Sequence, residues 1–248
     1  MAEPWRQGSL LGFDLETTGV DRFVDVPVSY AFVAFEHGHV RESLSKIVNP
    51  GRPIPPGAMA VHGITDERAV SEGQPLGEAI KEIVARLVQA STDGETVVGA
   101  NVVYDLTMVD ATARRELGLG LRDAGFDASI IDVLVIDKTY AKWRKGKRTL
   151  DLLCGYHGVE LDGAHDAFVD ARASVEVALS QPDVYRSNPR LWASKDLPDL
   201  DALSARELTD LQIGWHRAWA EDFSQWRQSK GSPPLAPDEL LWPIAQRA

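Results

Sequence analysis

The stretch LGFDLETTGV, Leu11–Val20, decides how this chain is read. Its apolar start predicts a buried strand, here over residues 9–16. In a strand, alternate side chains share a face. Phe13 and Leu15 therefore point one way, into a core. Asp14 and Glu16 point the other way, together. Two adjacent carboxylates repel, so ionising both is costly unless a cation compensates, and a divalent metal removes that penalty. A lone D-x-E is equally compatible with a solvent-facing strand side. The apolar neighbours and the T-T-G that follows weigh against that here.

Outward from this strand, residues 28–36 and 40–48 read as two more, joined at His37-Gly38 in a β-meander. PGRPIPPGA (50–58) carries four prolines and reads as a loop. Ile80, Ile83, Val84, Leu87 and Val88 recur at helical spacing, predicting an amphipathic helix over 76–90. A short buried strand over 96–101 follows, then a helix over 103–117. Residues 129–137 read as a strand or strand plus turn, 151–157 as a short helix and 166–180 as a longer one. Three strands followed by alternating helices and strands predict an α/β fold, a mixed sheet flanked by helices. It spans about 8–182.

After Ser180 the character changes. Pro182, Pro189 and Pro198 predict a wrapping or linking segment, and 183–248 reads as a C-terminal helical extension. A capping box, Ser204 with Glu207, opens a helix over 204–229. Leu208, Leu211, Trp215, Trp219, Phe223 and Trp226 form its apolar stripe. That stripe either docks back on the main domain, the favoured reading, or binds a partner. An exposed stripe of this size would be an aggregation liability. The tail from Gly231 reads as irregular.

The chain has 248 residues and a net charge of -11, which excludes a broad polyanion-binding surface. Any nucleic-acid contact must be local. The single cysteine, Cys154, reads as a core thiol of a reducing compartment. The N-terminus lacks the apolar region of a signal peptide, and no run suits a membrane span. The expected location is cytoplasmic.

Two further pieces carry acids. In GANVVYD, Asn101 ends a strand and Asp105 lies four residues on, in the first turn of a helix. Both fall on one side if both are helical. An acid there also simply suits the helix dipole. In GAHDAFVDARAS, Asp166 is an N-cap candidate, which leaves His165 on the preceding loop. Asp170 lies beside the Ala167–Ala171–Val175 stripe and can face the sheet. Taken singly, a surface histidine and a solvent-facing acid explain the last piece as well.

Together, D-x-E-T-T-G, N-x-x-x-D and H-D-A-x-x-D, in this order, resemble the DEDDh exonucleases. This is the DnaQ-like group that includes the proofreading epsilon subunit of bacterial DNA polymerase III. VHGIT (61–65) is also similar, and the resemblance covers about 8–180. It implies a ribonuclease H-like fold and a metal-dependent 3′–5′ exonuclease releasing nucleoside 5′-monophosphates. Asp14, Glu16, Asp105 and Asp170 would hold two Mg²⁺ or Mn²⁺ ions, with His165 as general base. Many relatives carry His and Phe where this chain has Ala100 and Tyr104. The fit of the terminal nucleotide can differ accordingly.

The substrate side is implied more loosely. By the same resemblance Thr17, Thr18, Asn101 and His62 lie near the terminal nucleotide, and Tyr104 could stack on a base. Packing roles for His62 and Tyr104 fit equally. Residues 137–150 hold the one dense basic patch, with Lys138, Lys142, Arg144, Lys145, Lys147 and Arg148 around Tyr140 and Trp143. Basic groups beside aromatics suit single-stranded nucleic acid. The expected substrate is therefore a single-stranded or frayed DNA 3′ end, the alternative being RNA trimming. A polymerase or other replication partner on the C-terminal helix is compatible, as is a homodimer. A non-catalytic adaptor is the reading from another class, and the intact acidic set argues against it.

Overall fold

The structure, a computed structural model, describes residues 3–188 and 196–247. Strands β1 (Leu10–Thr17), β2 (Pro27–Glu36) and β3 (His39–Asn49) form the predicted meander, antiparallel throughout. Helices α1 (Pro56–His62) and α2 (Asp66–Glu72) follow, then the two-residue β4 (Gln74–Pro75) and α3 (Leu76–Asp93). Next come β5 (Thr96–Gly99), α4 (Val102–Leu117) and β6 (Ile130–Asp132). Helices α5 (Val133–Tyr140), α6 (Leu150–His157), α7 (Ala167–Ser187) and α8 (Ala205–Ser229) complete the order. The strands form one six-stranded sheet in the order β4-β3-β2-β1-β5-β6. β1, β5 and β6 run parallel, so their carboxyl ends share one edge.

The alternation in β1 does what the sequence predicts. Leu11, Phe13 and Leu15 enter a core with Ile80, Ile83 and Leu87 of α3 and Leu106 and Val109 of α4. The opposite face belongs to α5, α6 and α7, whose core includes Ala171 and Val175. Gly12 lies on that second face. A Cβ there would sit 2.5 Å from the Ala171 carbonyl oxygen, so only glycine admits α7 this close.

Three expectations need correction. Residues 129–137 are mostly helix, not strand. The Asp132 carboxylate accepts the N–H groups of Leu134 (2.9 Å) and Val135 (3.4 Å) and starts α5 at once. α7 does not stop near Ser180 but runs on to Ser187 with Pro182 inside it. Gln181 donates to the Val133 carbonyl and Tyr185 to Asp137, and these anchors carry the helix past the proline. The expected boundary at 182 thus falls within α7. Of the expected linking segment, 189–195 lies outside the described residues. Finally, the 50–58 loop already starts a helix, because Pro56 takes the first helical position of α1.

α8 docks, and it does so with polar groups. β6 is an edge strand whose outer backbone would otherwise be open. Thr209 Oγ1 accepts the Ile130 N–H at 2.8 Å. Gln212 Oε1 accepts the Asp132 N–H at 2.8 Å, and its Nε2 donates to the Ile130 carbonyl at 2.9 Å. The buried side of α8 is Leu208, Thr209, Gln212, His216 and Ala220, rather than the tryptophan stripe alone. The tail returns to the body: Trp242 and Ile244 enter the α3–α4 core. Among the described residues no helix is long and apolar enough to cross a membrane.

Candidate active site

The site forms at the carboxyl edge of the sheet, where β1 meets the starts of α4 and α7. Asp14 and Glu16 project from the face of β1 that Gly12 opens to α7. Asp170 sits in the first turn of α7, one residue before the Ala171 that packs on Gly12. Asp105 sits in the first turn of α4 and is buried. The close approach at Gly12 therefore brings the third motif onto the first. Ligand-capable atoms of Glu16, His165 and Asp170 lie within 4.8 Å of one another.

The electrostatics show the four acids acting on each other. Burial, then Asp105, Asp170 and Glu16, push the Asp14 carboxyl well above the usual range. Burial, then Asp170 and Asp166, push Glu16 up to about 7. Burial also raises Asp105, with Asp132 and Glu16 adding to it, while the N–H groups of Asp105 and Leu15 pull it back. Asp170 is raised by burial, against the pull of the His165 N–H. Among the described residues, no lysine or arginine forms an ion pair with any of the four. Asp170 Oδ1 is buried without a hydrogen-bond partner. Oxygen donors of this kind, crowded and uncompensated, suit hard divalent cations.

His165 lies on the loop before α7, as its position ahead of the Asp166 N-cap implied. Asp166 accepts the N–H of Phe168 at 2.9 Å, and His165 itself has a φ of 68°. A non-glycine residue in this left-handed region is sparsely populated, and such strain concentrates at functional sites. Its N–H donates to Asp170 Oδ2 at 3.2 Å, tying the loop to the acidic cluster. His62 is half-buried nearby, its Nε2 without a hydrogen-bond partner. Burial lowers it, the Thr17 backbone raises it, and the His165 charge lowers it further.

The other expected substrate residues divide. Thr17 Oγ1 donates to the Gly19 carbonyl at 2.8 Å and lies 3.0 Å from the Tyr104 hydroxyl, which also donates to Gly19. Tyr104 thus clamps the T-T-G turn through its oxygen. Thr18 turns inward: it is buried, and its hydroxyl donates to Asp25 at 2.8 Å. Asn101 is exposed with a φ of 65°, and its N–H donates to Asp132. In the basic segment, Arg144 and Arg148 also turn inward, each 2.8 Å from the fully buried Asp137. Lys142 and Trp143 stay exposed.

Sequence reasoning missed Asp132, Asp166 as a charge on the cluster, and Asp25. Each holds a backbone or hydroxyl group beside the site. An aspartate directly after a strand and before a helix was the available signal for Asp132.

Comparison with known proteins agrees with this fold. The exonuclease family typified by ribonuclease T matches residues 11–178. A DNA polymerase III subunit epsilon-like protein of Rhodobacter capsulatus is 31% identical over 67% of this chain and 23% of its own length. A PolC-type DNA polymerase III of Lacticaseibacillus paracasei is 30% identical over 65% of this chain and 10% of its own. This chain therefore corresponds to a minor part of those relatives. Among solved structures, Escherichia coli exonuclease I in complex with a dA16 oligonucleotide superposes with a TM-score of 0.61 and 22% identity. That alignment covers 73% of this chain and 43% of the other. Exonuclease X in complex with 5′-overhanging duplex DNA superposes at 0.53 with 19% identity, over 82% and 99% of the two chains. These likenesses show the ribonuclease H-like exonuclease fold, and the match across most of the sheet and its helices shows that the chain belongs to the exonuclease family.

Proposed function

We propose that this protein is a DEDDh-type 3′–5′ exonuclease that hydrolyses DNA from a single-stranded or frayed 3′ end. The observation that carries the reading is the convergence of Asp14, Glu16, Asp105 and Asp170 at one sheet edge without counter-ions of their own. Four acids would repel a phosphodiester, so the site needs cations before it can take its substrate. Asp14, Glu16, Asp105 and Asp170 would hold two divalent ions, Mg²⁺ or Mn²⁺. Bound there, the ions supply Lewis-acid stabilisation of the phosphoryl oxygens and of the leaving oxygen.

The protein's own residues do the rest. The strained His165 loop holds an imidazole beside Glu16 and Asp170. In its neutral form it takes the proton of the attacking water at a ring nitrogen. Tyr104 and Thr17 keep the T-T-G turn in shape against the terminal nucleotide, and His62 lines the same side. DNA is favoured by the relatives, which are named for DNA polymerase III, and by the structural neighbours, which are complexes with a dA16 oligonucleotide and with duplex DNA.

The test is degradation of matched 3′- and 5′-labelled single strands of DNA and RNA with Mn²⁺, beside an Asp14→Ala control. The expected result is a ladder from the 5′-labelled DNA that the control lacks. A faster RNA ladder would make this a ribonuclease of the same fold. No degradation by folded protein would overturn the reading in favour of an adaptor.

A further inference from the structure

α8 runs in the same direction as β6, since Thr209 bonds Ile130 and Gln212 bonds Asp132. Beyond Gln212 the helix therefore leaves the sheet at its carboxyl edge, the edge that carries the four acids. There its stripe stands against α5 and encloses a groove of about 420 Å³. Lys138 and Lys142 line one side, Trp215, Trp219 and Phe223 the other. The rings of Trp219, Phe223 and Trp226 form a ladder, 5.4 and 5.7 Å apart and within 13° of parallel. Lys138 Nζ lies 3.5 Å from the Trp219 ring centroid. The ladder ends in the open, with Trp226 55% exposed. Lys142 is exposed and held loosely, by a 3.5 Å contact with Asp222 and by the Trp143 ring, whose centroid lies 5.7 Å from its Nζ.

We propose that this groove is a second binding site for single-stranded nucleic acid, taking the strand upstream of the 3′ end held in the active site. The inference rests on the exonuclease reading. In a chain of net charge -11, cations gathered beside parallel ring faces match a polyanion with planar bases, not an apolar protein surface. A backbone phosphate would take Lys142 from Asp222, and a base would extend the ring ladder at Trp226. The family match ends at residue 178, so the extension supplies this wall from outside it.

The test measures binding of oligothymidylates of about 6 and about 20 nucleotides by fluorescence anisotropy, in an Asp14→Ala background. The parent should bind the longer strand more tightly. Lys142→Glu should weaken it roughly ten-fold and lower the slope of log affinity against log salt by about one. Trp226→Ala, at an exposed site, should weaken it roughly ten-fold with the slope kept. The short strand should be unaffected by either. Equal affinity for both lengths, or long-strand binding by both variants equal to the parent, would overturn the inference. Self-association that Trp226→Ala abolishes, with strand binding intact, would overturn it too and assign the face to a second copy. Labelled-strand degradation separates the two levels: a ladder without length-dependent binding sinks only the groove, and no ladder sinks the exonuclease reading.

Discussion

Two groups of acids in this protein, buried or half-buried, meet opposite fates. Asp137 is fully buried, yet Arg144 and Arg148 each reach it at 2.8 Å and Tyr185 donates to it at 3.1 Å. Its charge is neutralised within the fold, and the result is a brace that fixes the basic segment between α5 and α6. Among the described residues Asp14, Glu16, Asp105 and Asp170 have no such partners; burial raises all four, and neighbouring carboxylates raise them further. Burial alone therefore does not separate the two groups. On the proposed reading, what marks a functional acid is burial whose compensation must come from outside the chain.

The largest effect should separate the two groups by activity. Asp14→Ala should lower the hydrolysis rate at least about a thousand-fold while the protein stays folded, measured as strand degradation beside circular dichroism. His165→Gln should follow with a loss of about a hundred-fold or more. It should leave the stabilisation by Mn²⁺ in thermal melts intact. Loss of that stabilisation would make His165 a ligand rather than a base, a role its position near Glu16 and Asp170 also permits.

Asp137→Ala should do the reverse. It leaves two half-buried arginines unpaired and should cost about 3–5 kcal/mol in urea denaturation. If instead it abolishes catalysis at unchanged stability, the comparison fails.

The pH dependence sharpens the contrast further. A carboxyl with a raised pKa in the folded state holds more protons folded than unfolded between the two values. Stability then falls as pH rises through that window. For Glu16 the window runs from 4.5 to about 7. The metal-free protein should lose stability across it, by at most about 3 kcal/mol from this group. Mn²⁺ should stabilise more at the upper end than at the lower, because only ionised acids bind it. A flat metal-free profile would mean that the acids are compensated within the chain.

Much of this was legible in the sequence, for identifiable reasons. The meander and the β1 alternation follow from period-two patterning, and the acidic set follows from three spaced motifs read together. The bracing arginines were not legible. Arg144 and Arg148 look like a strand-binding patch until Asp137, seven and eleven residues earlier, is seen buried between them. Nor was the course of residues 129–137, because one capping aspartate, Asp132, overrides an apolar run. The cover over β6 was hidden for a related reason. The tryptophan stripe drew attention to the apolar face of α8, whereas the contact that seats it is made by Thr209 and Gln212.

That seat is the smallest of the expected effects and tests a structural contribution made by a residue outside the four acids. Gln212 satisfies two backbone groups of an edge strand with one side chain. Gln212→Leu keeps the bulk but leaves the Asp132 N–H buried without its partner and the Ile130 carbonyl with Thr209 alone. It should cost about 1–3 kcal/mol in chemical denaturation. The position is coupled to the site all the same, because the Asp132 carboxylate accepts the N–H of Asn101, just ahead of α4 and Asp105. If the edge strand only supports the sheet, hydrolysis by the variant should stay near wild type wherever it is folded. A matching loss of hydrolysis would instead show that β6, α8 and the carboxylate cluster act as one unit, and would blur the line between braced and uncompensated acids.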